Sequence, residues 1–316
     1  MKRLDTMKNI LNEIKTYDTI VIHGHKRPDG DCYGGQYGLK GILKEAFPNK
    51  NIYVVGEESD YVKYVGSPDT INDDVYQDAL SIVVDTATKE RISDPRYVKG
   101  KKVIKIDHHI DVDAYGDMNW VDTSYPAVSE MITDFAIQHN LKIPLSSAIA
   151  LYTGLITDTG RFRYRGVSNR THCMAGALIN AGVDVEFIDS KLTQESLKMF
   201  ALKGYVYSNF VTVEGGFIYL KMPRDVINQY GVTDEQAASV VNLIGGLKGF
   251  PVWALMIEYE NEIRIRLRSS GPAINTLAEK YEGGGHAKAS GARLPSWDHL
   301  DQFIGDVIHH IKESKE

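Results

Sequence analysis

Residues 18–31, DTIVIHGHKRPDGD, decide how the chain opens. The apolar run up to His25 reads as a short buried strand, and the segment ahead of it places Met7, Ile10, Leu11 and Ile14 at helical spacing. A second helical pattern follows over about 33–47. Further short runs, NIYVVG at 51–56, LSIVVD at 80–85 and KVIKID at 102–107, repeat the alternation. Continuously apolar strands separated by helices predict a mainly parallel sheet with helices on both faces. Helical patterns over 128–140, 146–157 and 170–182 complete an α/β domain expected to span residues 1–185.

Residues 186–204 read as a helical connector. Beyond it the grammar changes to hairpins: 210–213 and 217–220 flank Glu214-Gly215-Gly216, and 253–259 and 263–268 flank Glu260-Asn261-Glu262. Helical patterns at about 234–244, 272–281 and 297–312 alternate with them, so residues 205–316 form a smaller C-terminal α/β domain. A ligand site is expected in the cleft between two such domains.

With 316 residues, 43% apolar and 25% charged, the composition excludes disorder, collagen and coiled coil. The net charge of −6 argues against long duplex nucleic acid as a partner, which needs many cations on phosphates. Asp5, Glu13 and Asp18 interrupt the N-terminal segment, and no apolar run approaches the ~20 residues of a membrane span. A cytoplasmic protein without membrane contact is expected. Cys32 and Cys173 are too few for a disulfide framework and read as small buried apolar residues.

The acids and histidines cluster where strands end: His25 with Asp29 and Asp31, then Asp85, then Asp107-His108-His109, with Asp158 grouped among them in GLITDTG at 154–160. Ligands of open α/β sheets bind outside the carboxyl ends of the strands, so these residues converge on one rim. Singly, each reads better as a turn former or helix cap; together they point to a metal site, because such a density of carboxylate and imidazole needs a cation. His25, Asp29, Asp31, Asp85, His108 and Asp158 suffice for two divalent ions. Oxygen and imidazole donors without thiolate suit Mn²⁺, with Mg²⁺, Fe²⁺ or Zn²⁺ as lesser candidates. Four aspartates balance two such ions, so a substrate's charge must be met by other cations. Arg161 to Arg165 and Arg170 are one source. Arg264, Arg266 and Arg268 are the other, sharing one strand face opposite Ile263, Ile265 and Leu267. Gly283-Gly284-Gly285-His286 offers a backbone able to approach a phosphate.

These motifs, the His25-Asp29-Asp31 run, Asp85, Asp107-His108-His109 and Thr157-Asp158-Thr159, resemble the DHH phosphoesterase family. Arg268-Ser269-Ser270-Gly271 and the GGGH run resemble its associated C-terminal domain. The compact two-domain form is most similar to the nanoRNase/pAp phosphatase type, without the extra domains of RecJ-like nucleases. The resemblance implies that His25, Asp29 and Asp85 hold one Mn²⁺, that Asp31, Asp85, His108 and Asp158 hold the other, and that Asp107 orients the histidines. It casts His109 as a donor to the scissile phosphate, and Arg268 and His286, with Ser269, Gly284, Gly285 and Arg161, as substrate contacts. One departure is Cys32-Tyr33-Gly34-Gly35, where relatives carry a small residue, an aliphatic one, Gly and then Ser or Ala; it bears on helix packing.

The implied reaction is two-metal hydrolysis of short 5′-phosphorylated oligoribonucleotides, and of 3′-phosphoadenosine 5′-phosphate (pAp) to AMP. Hydrolysis of pApA from cyclic-di-AMP is the nearest alternative, a non-catalytic metal and nucleotide sensor a further one, and pyrophosphate hydrolysis a third. Tyr164, Phe162 and Trp253 are candidate base-stacking partners, and a homodimer remains open.

Overall fold

The segment ahead of residue 18 forms helix α1 (Lys2–Thr16), with Met7, Ile10, Leu11 and Ile14 all buried. There follow β1 (Thr19–His23), α2 (Gly30–Ala46), β2 (Asn51–Val54), β3 (Leu80–Val84), β4 (Lys102–Asp107) and β5 (Met118–Val121). Helices α3 (Val128–Gln138), α4 (Leu145–Asp158), α5 (Asn169–Asn180) and α6 (Val185–Thr193) close the first unit. This computed structural model describes residues 2–314, and its first unit ends at Gln194. The five strands make one parallel sheet in the order β2-β1-β3-β4-β5. The strand order reverses between β1 and β3, and at such a point the outgoing loops part and leave a crevice beyond the strand ends. Edge strand β5 lies outside the sequence expectation, since MNWV is short and only Trp120 in it is buried.

Helix α2 packs closely on α4, and glycine permits it. A Cβ on Gly34 would fall 2.5 Å from Ser129 Oγ and 2.7 Å from the Ala150 carbonyl oxygen; one on Gly154 would fall 2.8 Å from Asp31 Oδ1. The departure at Cys32-Tyr33 is absorbed. Cys32 is buried, and the buried Tyr33 ring sends its hydroxyl to the loop beyond β2, donating to the Glu57 carbonyl at 3.3 Å and accepting from Ser59 N–H at 2.8 Å. Cys173 is exposed, contrary to its sequence reading, because it lies on the outward side of amphipathic α5.

The second unit begins at Glu195. It contains α7 (Leu197–Asn209), β6 (Val211–Val213), β7 (Phe217–Met222), α8 (Arg224–Tyr230), α9 (Asp234–Ser239), β8 (Val252–Glu258) and β9 (Ile263–Ser269). Then come α10 (Asn275–Glu279), β10 (Gly284–His286), β11 (Ala289–Leu294) and α11 (Leu300–Glu313). The expected connector is thus two helices, α6 in the first unit and α7 in the second. The six strands form a mixed sheet, β10-β11-β9-β8-β7-β6, antiparallel except for β7 with β8. Along β9, Ile263, Ile265 and Leu267 are buried and Arg264 and Arg266 exposed, as period-two patterning requires. Among the described residues, no helix is long and apolar enough to cross a membrane.

Candidate functional site

Each donor is placed by the end of an element. His25 lies two residues past β1 and is pinned by a bridge to Ile92. Its Nδ1 lies 2.9 Å from the Lys26 carbonyl oxygen. That carbonyl can only accept, so the ring proton is assigned to Nδ1 and the Nε2 lone pair turns to the site. Asp29 caps α2, with Oδ1 accepting from the amides of Asp31 and Cys32 at 3.1 Å each. Asp31, in the first turn of α2, accepts from Val128 N–H at 2.6 Å and Ser129 N–H at 2.9 Å, so it also caps the otherwise uncapped N-terminus of α3. Asp85 follows β3 with φ +51°, a left-handed conformation that Asp tolerates better than most residues and that is common where backbone strain serves a site. Asp107 ends β4, with His108 and His109 next. Asp158 is the last residue of helix α4, which corrects its grouping with the strand ends: the run 154–160 is the end of a helix and its turn.

These side chains converge. His25 Nε2 lies 3.5 Å from Asp85 Oδ2 and 3.7 Å from Asp29 Oδ1. His108 Nε2 lies 3.3 Å from both Asp85 Oδ1 and Asp158 Oδ2, and 3.8 Å from Asp31 Oδ2. Donors sharing a cation at ~2.1 Å sit roughly 3 Å apart, so this spacing fits common coordination better than direct hydrogen bonding. Asp85 Oδ1 is buried and accepts no hydrogen bond, an unpaired acceptor of the kind a cation satisfies. The residues therefore fit divalent metal. Cys32 falls near His25 and Asp85, but burial above all raises its pKa, so it stays a thiol facing Gln36 Oε1 at 3.7 Å.

The electrostatics agree. Burial disfavours charge on His25, yet Asp29 and Asp85 outweigh it and raise its pKa to about 10. Burial likewise opposes charge on His108, and Asp85, Asp31 and Asp158 raise it to about 10. Burial and then Asp85 push Asp158 up to about 6, and the same pair of causes raises Asp31. These are protons that a bound cation would displace.

His109 sits differently. Its Nδ1 bonds Asp107 Oδ1 at 2.8 Å, and that hydrogen bond raises its pKa. Its ring is half exposed. Beneath Asp107 lies Lys105, fully buried, its ammonium donating to the carbonyls of Ala87 and Asp113 at 2.9 Å each and lying 3.5 Å from Asp107 Oδ2. Sequence reasoning passed over Lys105, although a lysine inside the strand run KVIKID was the available signal.

Of the cations expected next to Asp158, Arg161 and Arg170 are engaged elsewhere, Arg163 Nε donates to the Gly160 carbonyl at 2.8 Å, and Arg165 is exposed. Arg161 Nε donates to Asp189 at 3.0 Å, and Arg170 donates to Glu130 at 2.6 Å while stacking 3.6 Å over Tyr125. Phe162 packs partly buried on the core, Tyr164 is exposed, and Trp253 packs into the second unit's core.

In the second unit, a groove of about 570 Å³ is lined by Arg264, Arg266, Arg268, Arg293, Gly283 and Gly284, among others. Arg264 is paired with Glu262 at 2.6 Å. Arg268 is half buried, and desolvation, then repulsion from Arg266, lowers its pKa, which is the signature of a cation without an anion. The glycine run is not a loop. Gly284 to His286 are strand β10, and a Cβ on Gly283 would fall 1.9 Å from the Gly291 carbonyl oxygen, so that glycine serves the strand contact. Gly284 is open, Gly285 has φ +139°, and His286 is exposed. Ser269 is committed to its turn, donating to the Pro272 carbonyl at 2.6 Å and accepting from Gly271 N–H at 3.0 Å.

Comparison with known proteins gives the same division. The model of the DHH family, N-terminal domain, matches residues 19–155, and that of the DHHA1 domain matches residues 214–313. The chain is 39% identical over 307 residues to the bifunctional oligoribonuclease and PAP phosphatase NrnA of Bacillus subtilis, covering 96% of this chain and 98% of that one. It is 38% identical to the probable bifunctional oligoribonuclease and PAP phosphatase NrnA of Streptococcus mutans, covering 98% and 100%. The crystal structure of an exopolyphosphatase-related protein from Bacteroides fragilis superposes with a TM-score of 0.85 at 23% identity over 99% of this chain and 98% of that one, which speaks to fold.

Proposed function

This chain belongs to the DHH family, and from that premise we propose that it hydrolyses short 5′-phosphorylated oligoribonucleotides to 5′-mononucleotides and converts pAp to AMP and phosphate. The observation that carries the reading is the convergence of His25, Asp29, Asp31, Asp85, His108 and Asp158 around the unpaired oxygen of Asp85. His25, Asp29 and Asp85 would hold one divalent ion, and Asp31, Asp85, His108 and Asp158 a second, Mn²⁺ fitting the donor set better than Mg²⁺. When bound, such ions acidify water and neutralise the phosphoryl oxygens.

The remaining steps belong to the chain's own residues. In hydrolysis a water oxygen bonds to phosphorus, the P–O3′ bond breaks, and the ribose O3′ leaves with a proton. His109, its Nδ1 held by Asp107, presents Nε2 to the phosphate and donates a hydrogen bond as negative charge builds there. Donation from both ring nitrogens needs the imidazolium, which the Asp107 hydrogen bond favours by raising the pKa of His109; His109 in turn does most to keep Asp107 ionised, and Lys105 adds a positive charge 3.5 Å from it. In the second unit, Arg268 and His286 are assigned the substrate's other phosphate or nucleotide, Arg268 through a guanidinium that donates once to the Leu267 carbonyl at 2.9 Å and makes no ion pair among the described residues. A groove of this size fits the end of a short substrate. The proposal includes a cytoplasmic location, with neither a membrane nor long duplex nucleic acid as partner.

The test is to incubate metal-stripped protein, with and without Mn²⁺, with pAp, with pApA and with 5′-phosphorylated RNAs of increasing length from the dinucleotide. Mn²⁺-dependent AMP from pAp, together with 5′-mononucleotides from only the shortest RNAs, is expected. Cleavage of pApA alone would transfer the site to cyclic-dinucleotide turnover, and no hydrolysis of any of them would refute the enzymatic reading.

A further inference from the structure

We propose that Arg91 is a catalytic residue that binds a non-bridging oxygen of the scissile phosphate beside the metal centre. The inference rests on the phosphoesterase reading above and adds a residue to it. A pocket of about 150 Å³ is lined by His25, Asp29, Asp85, His109 and Asp158, and the one guanidinium among its lining residues is that of Arg91. Of the arginines that follow Asp158 in sequence, Arg161 and Arg170 are spent on ion pairs with Asp189 and Glu130, and neither Arg163 nor Arg165 lines this pocket. The metal core as assigned balances four aspartates with two divalent ions, so an entering phosphate brings negative charge that the core does not cancel.

The position of Arg91 is built. It ends a short 3-10 turn, Lys89–Arg91, after β3. The backbone on both sides is tied to the loop after β1, with Lys26 N–H donating to the Arg91 carbonyl at 2.7 Å and Ser93 N–H donating to the Gly24 carbonyl at 2.9 Å. The side chain is exposed, and among the described residues it makes no ion pair within 4.0 Å, although the pocket holds three carboxylates. Its Nη2 lies 3.5 Å from His25 Nδ1, but that nitrogen is the assigned donor to Lys26 and cannot accept, so the guanidinium protons stay available. The neighbouring Lys26 is not an equivalent: its ammonium donates to the Glu90 carbonyl at 2.8 Å. A planar guanidinium can take two phosphate oxygens at once and gains most where charge develops.

The experiment compares Arg91→Gln and Arg91→Lys with the parent, all loaded with Mn²⁺, in three measurements: bound metal by mass spectrometry, inorganic phosphate affinity by calorimetry, and steady-state kinetics on pAp. Arg91→Gln should retain its metal, bind phosphate about tenfold or more weakly, and lose about 10²-fold in kcat/KM, with Arg91→Lys recovering part of each. Unchanged phosphate affinity in Arg91→Gln would overturn the proposal, as would loss of metal in step with activity, which would make Arg91 a brace for His25. Phosphate binding does not depend on which phosphoester is the substrate. A parent that turns over nothing would therefore count against the proposed function, while the phosphate titration still decides the role of Arg91.

Discussion

Loading metal-stripped protein with its two ions should expel about two protons per chain. His25 and His108 are each held up to about 10 by the carboxylates around them, so near neutral pH both rings are protonated. A divalent ion needs their lone pairs and must displace those protons. At about pH 7.5 each displacement costs roughly 3 kcal/mol, from ~1.4 kcal/mol per pH unit between the ambient value and the raised pKa. The logarithm of the apparent affinity for Mn²⁺ should then rise by about one per pH unit for each ion, or about two for the pair, from pH ~7 to ~9. The same linkage acts on stability. Groups with raised folded-state pKa values stabilise the metal-free protein below their unfolded values and lose that contribution as pH rises through the folded ones. For the histidines the window runs from 6.5 to about 10, and for Asp158 from 3.8 to about 6. Metal-free protein should therefore melt at falling temperature across both windows, and Mn²⁺ should flatten the upper one. Calorimetric titration in buffers of differing ionisation enthalpy counts the protons. Release below one proton per chain, or an affinity indifferent to pH over that range, would refute the assignment of His25 and His108 as metal donors.

Asp85→Asn should keep the fold, because Asn accepts φ +51°, yet lose bound metal and nearly all turnover; full metal content with normal turnover would sink the bridging role. Lys105→Met should lower stability by about 3 kcal/mol in urea denaturation, since Asp107 would lose the cation buried beneath it, and an unchanged midpoint would contradict that pairing. Gly34→Ala, forced against Ser129 and the Ala150 carbonyl, should cost about 1–3 kcal/mol and weaken metal binding by moving α2 from α4; a fully stable variant would show that the contact yields. His286→Ala should raise KM for pAp with little change in kcat, and an unaltered KM would remove it from substrate binding.

Much of this was legible in the sequence because it rests on periodicity. The runs TIVIH, LSIVVD and KVIKID could only be buried strands, and the acids that close them had only the rim to occupy. The rest depends on pairings that spacing does not encode. Edge strand β5 shows no clean pattern, because only Trp120 of its four residues is buried. The glycine run at 283–286 looks like a loop in sequence but is a strand whose close neighbour is the backbone of β11. Arg161 and Ser269 carry the right chemistry yet find partners in Asp189 and Pro272, which lie 28 and three residues along the chain. Lys105 and Arg91 were hidden for the converse reason: a buried lysine reads as an interruption, and an arginine in a polar loop reads as surface.

The glycines of α2 bear on when the site comes into being. Five of its 17 residues are glycine, each about 1 kcal/mol less favourable in a helix than alanine, so the segment has little tendency to coil on its own. It becomes a helix by docking on α4 and under α3, and that docking brings Asp29 and Asp31 to Asp158 and His108. A chain still unfolded, or newly made, therefore holds these donors apart and offers metal only short local pairs such as His108-His109. Metal capture belongs to the finished fold, and each ion bound is free energy withheld from every disordered state of the chain.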